Sequence, residues 1–296
     1  MEMKKYLYYP GCTLKTYATN LESSALAVAR ALDIELVELE KWYCCGAVAP
    51  LASDDLFHYL APVRNFIAAQ QESKDGRAKL VTLCDMCYNT LQHATILVKN
   101  NPKALETINS FLDTEEDYNG KVEVYHLLQI LRDFVGFNRI KELVKKPLSN
   151  LRVACYYGCM LLRPRNISID DPEEPQILDN IMSALGATVV PHCYPTECCG
   201  SYHIVDSKQI VTDKVAKIIS GLRSKDENKD CDAIVVSCPL CRYNLETAQQ
   251  PKNFKLLPVF YFTQLIALAF AIDEKYCGLE IHKIDPKPLL RNKNLI

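Results

Sequence analysis

Residues 42–50 read WYCCGAVAP and residues 194–202 read YPTECCGSY. Two adjacent cysteines ahead of a glycine occur twice in one chain, and the surroundings of each pair repeat as well. Cys12 precedes the first pair by 31 intervening residues, and 38 residues after the pair stands Cys84-x-x-Cys87. Cys159 precedes the second pair by 38 residues, and after another 38 stands Cys238-x-x-Cys241. From the CCG onward the two sets keep a constant offset of 154 residues. The flanks agree: YYPGCTL (8–14) with YYGCML (156–161), LVTLCDMC (80–87) with IVVSCPLC (234–241), and VYHLLQIL (124–131) with VFYFTQLI (259–266). A fixed offset of this kind marks an internal duplication. Its boundary is expected at the polar, proline-containing KKPLSN (145–150), giving a first domain over 1–148 and a second over 149–296.

Each half alternates β-rich runs with helical spacing. KYLYYP (5–10) leads into Cys12, and NLESSALAVARAL (20–32) has a helical apolar stripe with Asn20 as its expected N-cap. IELVEL (34–39) reads as extended, as do KLVTL (79–83) before Cys84 and DAIVVS (232–237) before Cys238. Strands alternating with helices imply an α/β fold of two pseudo-symmetric domains, each a small, mainly parallel sheet with right-handed crossovers. The segments that follow the strands then gather at one edge, where open α/β sheets hold ligands. The motif cysteines are therefore expected to converge there.

A composition that is 49% hydrophobic and 24% charged is that of a globular protein with ample core. A formal charge of -2 gives no basic field for nucleic acid, and the basic patches KNNPK (99–103) and RNKNLI (291–296) are short. The N-terminal MEMKKYLYYPGC lacks the apolar core of a signal peptide, so a reducing cytoplasm is expected and disulfides are not. VFYFTQLIALAFAI (259–272) is the most apolar run, but it is shorter than the ~20 residues that span a bilayer and carries Thr263 and Gln264. It reads as a buried helix.

The five motif thiols of each half exceed what a structural zinc ion takes, which is four, and what an ordinary cubane cluster takes, also four. Adjacent residues on an extended chain point apart, so paired cysteines suit different irons of one larger assembly. The glycine after each pair lets the backbone pass close to such a group. Zinc in one or both halves is the main competing reading, since a C-x-x-C is common at zinc sites, but tetrahedral zinc leaves one thiolate idle in each half.

At these residues the chain resembles the cysteine-rich CCG-domain family, whose motif occurs twice in the B-type subunit of the heterodisulfide reductase of methanogenic archaea. The resemblance covers essentially the whole chain. It implies a non-cubane 4Fe–4S cluster in each half, the first held by Cys12, Cys44, Cys45, Cys84 and Cys87 and the second by Cys159, Cys198, Cys199, Cys238 and Cys241. Cys155 is the alternative to Cys159, which is preferred because Gly158 precedes it as Gly11 precedes Cys12. Cys155, Cys193, Cys231 and Cys277 have no counterparts in the first half and read as small packing or surface thiols. His192 and His203 flank the second CCG and read as ordinary hydrogen-bonded histidines. No general acid or base is identifiable.

The resemblance further implies reduction of the mixed disulfide of coenzyme M and coenzyme B in methanogenesis, with the substrate between the clusters and one electron from each. The substrate's sulfonate, carboxylate and phosphate call for cations; Arg163, Arg165, Arg242, Lys283 and Arg291 are the candidates. The chain has no G-x-G-x-x-G fingerprint and no C-x2-C-x2-C-x3-C run, so electrons must come from another protein. By resemblance these would be the heterodisulfide reductase's C-type subunit with cubane clusters and its A-type subunit with flavin and further clusters, fed by a hydrogenase or formate dehydrogenase. The alternative is an electron-transfer subunit of a respiratory dehydrogenase linked to quinone or methanophenazine; a zinc scaffold without catalysis is the third class.

Overall fold

The computed structural model describes residues 3–47, 55–112, 116–222, 230–250 and 256–296. In the first half the order is β1 (Lys4–Tyr9), α1 (Thr19–Ala31), β2 (Ile34–Glu38), α2 (Leu60–Gln71), β3 (Lys79–Thr82), α3 (Asp85–Asn100), α4 (Pro102–Leu112) and β4 (Glu123–His126). The short α5 (Leu127–Gln129) and α6 (Phe137–Glu142) close it. The second half runs β5 (Arg152–Cys155), α7 (Ile177–Ala184), β6 (Thr188–Val189), α8 (His203–Asp206), α9 (Lys208–Gly221), β7 (Ala233–Val236), α10 (Pro239–Ala248), β8 (Val259–Tyr261), α11 (Phe262–Ala269) and α12 (Lys287–Asn292).

The strands form two four-stranded sheets, ordered β2-β1-β3-β4 and β6-β5-β7-β8, and every pairing in both is parallel. Leu80, Val81, Val153, Ala154 and Ile234 to Val236 have no exposed surface, as expected of parallel strands covered on both faces. In each sheet the direction of winding reverses between the first strand and the third, β1/β3 and β5/β7. That reversal opens a crevice at the carboxyl ends of those strands. Cys12 and Cys84 follow β1 and β3, and Cys159 and Cys238 follow β5 and β7.

Two expectations are corrected. The run 259–272 is a strand followed by a helix, because Val259 to Tyr261 pair with β7 from Ile234 to Val236 before the chain turns into α11. Asn20 is not a helix cap: α1 begins at Thr19 with Ala18 in the cap position, and the buried Asn20 side chain instead reaches Arg242.

The halves interlock. Helices α1 and α11 pack across the interface, with the hydroxyls of Ser24 and Thr263 hydrogen-bonded at 2.7 Å and fully buried. From α3, Tyr88 donates its hydroxyl to Ile167 O and Asn89 donates to the carbonyls of Met160 and Arg163. The connecting residues Lys145 and Lys146 donate their backbone N–H groups to Ala269 O. No helix among the described residues is long and apolar enough to cross a membrane.

Candidate functional site

Both C-x-x-C segments are built alike. Cys84 and Cys238 are the N-caps of α3 and α10, with extended backbone, and Cys87 and Cys241 lie three residues into those helices. Both thiols of each segment thus sit at a helix N-terminus, where the first N–H groups have no partner within the helix. The adjacent cysteines come from the loop after β2 in the first half and after β6 in the second. Tyr9, the last residue of β1, donates its hydroxyl to the carbonyl of Tyr43 at 2.7 Å; Tyr156, just beyond β5, donates to that of Glu197 at 2.5 Å. Each tyrosine pins the residue that precedes a cysteine pair.

The structure brings together all five motif thiols in each half. In the first nest Cys12 Sγ lies 3.7 Å from Cys44 Sγ and Cys45 Sγ 3.5 Å from Cys87 Sγ, while Cys84 interacts with Cys87. In the second, Cys159 contacts Cys198, Cys198 contacts Cys199, Cys199 contacts Cys241, and Cys241 contacts Cys238. Thiols this close share protons. Hydrogen bonds from Cys44 and then Cys87 lower Cys45 to about 4. Hydrogen bonds from Cys159 and then Cys199 lower Cys198 to about 2. The donors shift the other way: Cys44 and Cys159 rise first because each donates a hydrogen bond to its neighbour, which favours keeping the proton, and then because burial desolvates them. Cys87 and Cys241 rise as well, first through hydrogen bonds with Cys45 and Cys84 and with Cys199 and Cys238, then through burial.

Glycines set the closeness of approach. A Cβ at Gly11 would lie 2.8 Å from Cys87 Sγ, and one at Gly158 would lie 3.0 Å from Cys241 Sγ; both glycines have a left-handed backbone. Thr90 and Asn244, again 154 residues apart, both serve the second cysteine of a pair. The Thr90 hydroxyl helps to lower Cys45, and Asn244 Nδ2 donates to Cys199 Sγ at 3.4 Å.

The two nests adjoin each other. Cys238 feels the charges of Asp85 and Cys84 from the other half. The Ser237 hydroxyl donates to Asp85 Oδ2 at 2.9 Å, and both side chains are buried. His126 stands 3.4 Å from Asp85 Oδ1 through Nε2, which also lies 3.1 Å from Leu83 O. Its Nδ1 accepts from Leu128 N–H, which assigns the ring proton to Nε2. Tyr202 is raised first by burial and then by thiols of both nests, Cys84, Cys238, Cys45 and Cys87. The spacing of the sequence announced none of Asp85, Ser237 and Tyr202, whereas Thr90 and Asn244 could have been found from the 154-residue offset.

Other candidates fall elsewhere. Cys155 ends β5, where its buried thiol is raised by desolvation and then by Asp179, so Cys159 and not Cys155 adjoins Cys198. Cys231 is buried just before β7, and Cys277 is buried beneath α11 with its thiol pushed up to about 12 by desolvation. Cys193 is exposed and lines a cavity of about 320 Å³ with Cys159, Arg163, Tyr194, Thr196, Glu197 and Cys198. His192 lies 2.8 Å through Nε2 from Cys155 O and is lowered by burial; His203 pairs with Asp206 at the surface.

Among the five cations, Arg242 is corrected to a structural residue. It is buried, paired with Glu246 at 3.1 Å, stacked over Tyr261 and hydrogen-bonded to Ile281 O. Arg163 reaches the thiol-lined cavity from the surface and pairs with Glu173. Arg165 lines a separate cavity with Asp171, Glu173 and Glu174. Lys283 donates to Thr247 at 3.3 Å, and Arg291 is exposed on α12.

The residues fit a polynuclear iron–sulfur group. Five thiols cluster in each half without disulfides, neighbouring donors lower one thiol of each cysteine pair, Cys45 and Cys198, and Gly11 and Gly158 leave room against the sulfurs. No three His, Cys, Asp or Glu groups among the described residues surround a point suited to one metal ion.

The fold and site define a duplicated cysteine-rich α/β protein. The sequence profile of the cysteine-rich CCG domain matches residues 6–92 and 153–246, and the chain belongs to that family. It is 33% identical to the 8-methylmenaquinol:fumarate reductase membrane anchor subunit of Wolinella succinogenes, over 97% of this chain and 99% of that one. It is 30% identical to a protein of Archaeoglobus profundus that is itself like the B-type subunit of heterodisulfide reductase, over 98% of this chain and all of the other. With the B-type subunit of the ferredoxin:CoB-CoM heterodisulfide reductase of Methanosarcina mazei it shares 27% identity over 94% and 93% of the two chains. A hypothetical protein from Helicobacter pylori has the same fold, with a TM-score of 0.70 at 15% identity. That likeness covers 95% of this chain but only 52% of the Helicobacter chain. Within the CCG family the chain is therefore like the B-type subunit of heterodisulfide reductase.

Proposed function

We propose that the chain is the two-cluster iron–sulfur subunit of a heterodisulfide reductase-type complex, reducing the disulfide between coenzyme M and coenzyme B. The observation that carries this reading is the meeting of two equivalent five-thiol nests at one interface, where Ser237, next to Cys238, is hydrogen-bonded to Asp85, next to Cys84. Cleaving a disulfide to two thiols takes two electrons and two protons. Non-cubane 4Fe–4S clusters held by Cys12, Cys44, Cys45, Cys84 and Cys87, and by Cys159, Cys198, Cys199, Cys238 and Cys241, would supply one-electron transfer from each side.

The chain's own residues prepare this site. Tyr9 and Tyr156 hold the cysteine pairs in place, and α3 and α10 aim their N-termini at the sulfurs. Tyr202 feels thiols of both nests, and Arg163, which lines the cavity beside Cys159 and Cys198, is the cation proposed for an anionic group of the substrate. The proposed domain boundary is 148/149, and the proposed compartment is the cytoplasm. The proposed partners are the complex's cubane-carrying C-type subunit and its flavin-carrying A-type subunit. A second reading, electron transfer with a quinone-linked dehydrogenase, is favoured by the 33% identity to the Wolinella protein over nearly the full length of both chains.

The test is an anaerobic metal and activity assay. Two four-iron clusters require about eight irons per chain, and stoichiometric zinc with little iron would overturn both readings. With iron in place, oxidation of reduced benzyl viologen by the coenzyme heterodisulfide supports the first reading. Oxidation by a menaquinone analogue alone supports the second.

A further inference from the structure

The duplication gives the residues around the second nest counterparts in the first half, and beside Cys159 and Cys198 the two halves diverge in one direction. Thr196 lines the cavity of about 320 Å³ there, and the residue 154 positions earlier is Trp42, whose indole meets Tyr9 edge-on at 6.1 Å. A small hydroxyl side chain in place of an indole leaves room next to the sulfurs. The cations follow the same pattern. Where α2 carries the apolar Leu60 and Val63, packed in the core, α9 carries Lys214 and Lys217. Arg163, on the cavity wall, stands four residues after Cys159, where Thr16 stands four after Cys12. Tyr43 precedes the first cysteine pair and Glu197 the second. A five-thiol nest needs none of these changes, since the first half builds one without them.

Glu197 also lines the cavity, and its carboxylate is clasped by Lys214 at 2.7 Å through Oε1 and by Lys217 at 2.8 Å through Oε2. Lys217 lies 4.8 Å over the ring of Tyr194, another wall residue, and Lys214 is within electrostatic reach of Cys198. Two ammonium groups thus share one carboxylate. Arg163 pairs with Glu173 through side chains that are 52% and 76% exposed. Ion pairs open to solvent contribute about 1 kcal/mol or less, so an incoming anion exchanges with them at small cost. A cavity of this size suits a small ligand.

We propose that this cavity is an anion site of the second half, with Arg163, Lys214 and Lys217 as its cations. Glu197 holds the place that the sulfonate, phosphate or carboxylate tail of a small thiol or disulfide takes on the two lysines. The ligand's sulfur end is then directed at Cys159 and Cys198. Its being a sulfur compound rests on the two-cluster reading above, whereas the anion site does not. The exchange selects its ligand: a neutral thiol leaves Glu197 in place on the cavity wall, and an anion displaces it.

Cys193, exposed on the wall of the same cavity and outside the ten-cysteine set, reports occupancy. The full, anaerobically loaded chain is assayed for iron and then treated with iodoacetamide. Alkylation of Cys193 is followed by peptide mass spectrometry in rising concentrations of ethanesulfonate or of its neutral isostere, ethyl methyl sulfone. Calorimetric titration with ethanesulfonate measures the same affinity without the thiol. Ethanesulfonate should protect Cys193, and the sulfone should not. Glu197→Gln, which removes the competing charge, should lower the half-protecting concentration about tenfold, and Lys214→Gln and Lys217→Gln should each raise it about tenfold, the loss of one charge-assisted hydrogen bond. Lys275→Gln, at the exposed pair with Asp273, should change nothing. The inference is overturned by equal protection from both compounds, by no ethanesulfonate binding in either measurement, or by lysine variants that bind it as the unaltered chain does. Weaker binding by Glu197→Gln would overturn it as well. Turnover of the coenzyme heterodisulfide judges the functional reading separately. A chain that binds ethanesulfonate through these residues without reducing the disulfide keeps this inference and loses that reading, and a chain that reduces it without binding ethanesulfonate does the reverse.

Discussion

Gly158 and Cys241 show how tightly single residues define the site. Gly158 has φ of +66° and leaves 3.0 Å between a Cβ position and Cys241 Sγ. Gly158→Ala would cost about 1 kcal/mol or more for a left-handed backbone, and it would push a ligand sulfur aside. The expected result is a folded chain holding about half of its iron, four of about eight, with the first nest's spectrum intact; full iron content would contradict it. The paired cysteines make a second case. Cys44→Ser, Cys45→Ser, Cys198→Ser and Cys199→Ser should each alter or abolish one cluster's electron paramagnetic resonance signal, whereas Cys277→Ser, buried beneath α11 away from either nest, should leave both unchanged. These residues were legible in the sequence because five thiols at fixed spacing recur with a following glycine. Asp85 and Ser237 were not, because they meet across 152 residues of chain and only folding brings them together.

The elements follow the sequence where the pattern is local. VYHLLQIL and VFYFTQLI both form a strand that turns directly into a helix, and each turn is closed by a capping box, His126 with Gln129 and Tyr261 with Gln264. Asn20 and Arg242 defeated the local reading, because a buried arginine at the interface outcompetes the capping role. The same interface carries His282, whose Nδ1 lies 2.8 Å from Glu246 and whose Nε2 faces the amide of Gln264 at 3.0 Å. Gln264 Nε2 also donates to Cys277 O, so the C-terminal segment is tied to α11 through this group. Burial lowers the His282 pKa, against the opposing pull of Glu246, with Arg242 lowering and Asp285 raising it further. A base that is harder to protonate when folded leaves the unfolded chain binding the extra proton. The stability it contributes is therefore present above its unfolded pKa of about 6.5 and lost as pH falls below it. The melting temperature should drop between about pH 7.5 and about pH 5.5, and His282→Gln should show a shallower drop by calorimetry. An unchanged slope would remove His282 from the account.

At the scale of the molecule, duplication placed two nests on one interface, and the functional question is whether they act together. Each half is expected to give one electron to one disulfide, so neither alone completes the reaction. Cys238→Ser should remove the second cluster, and Cys84→Ser the first, with the untouched cluster verified by its spectrum. Both variants should then fail to turn over the coenzyme heterodisulfide even with a strong viologen reductant, which reaches either nest without a protein partner. A chain in which one cluster did the chemistry and the other only passed electrons onward would behave differently: a viologen would bypass the lost relay and restore activity in one of the two variants. The hydrogen bond between Ser237, next to Cys238, and Asp85, next to Cys84, favours the joint arrangement, because a substrate reaching one nest is already beside the other. Substantial turnover in either variant would sink the paired mechanism while leaving the ten-cysteine assignment standing, since that assignment is judged by iron content and spectra alone.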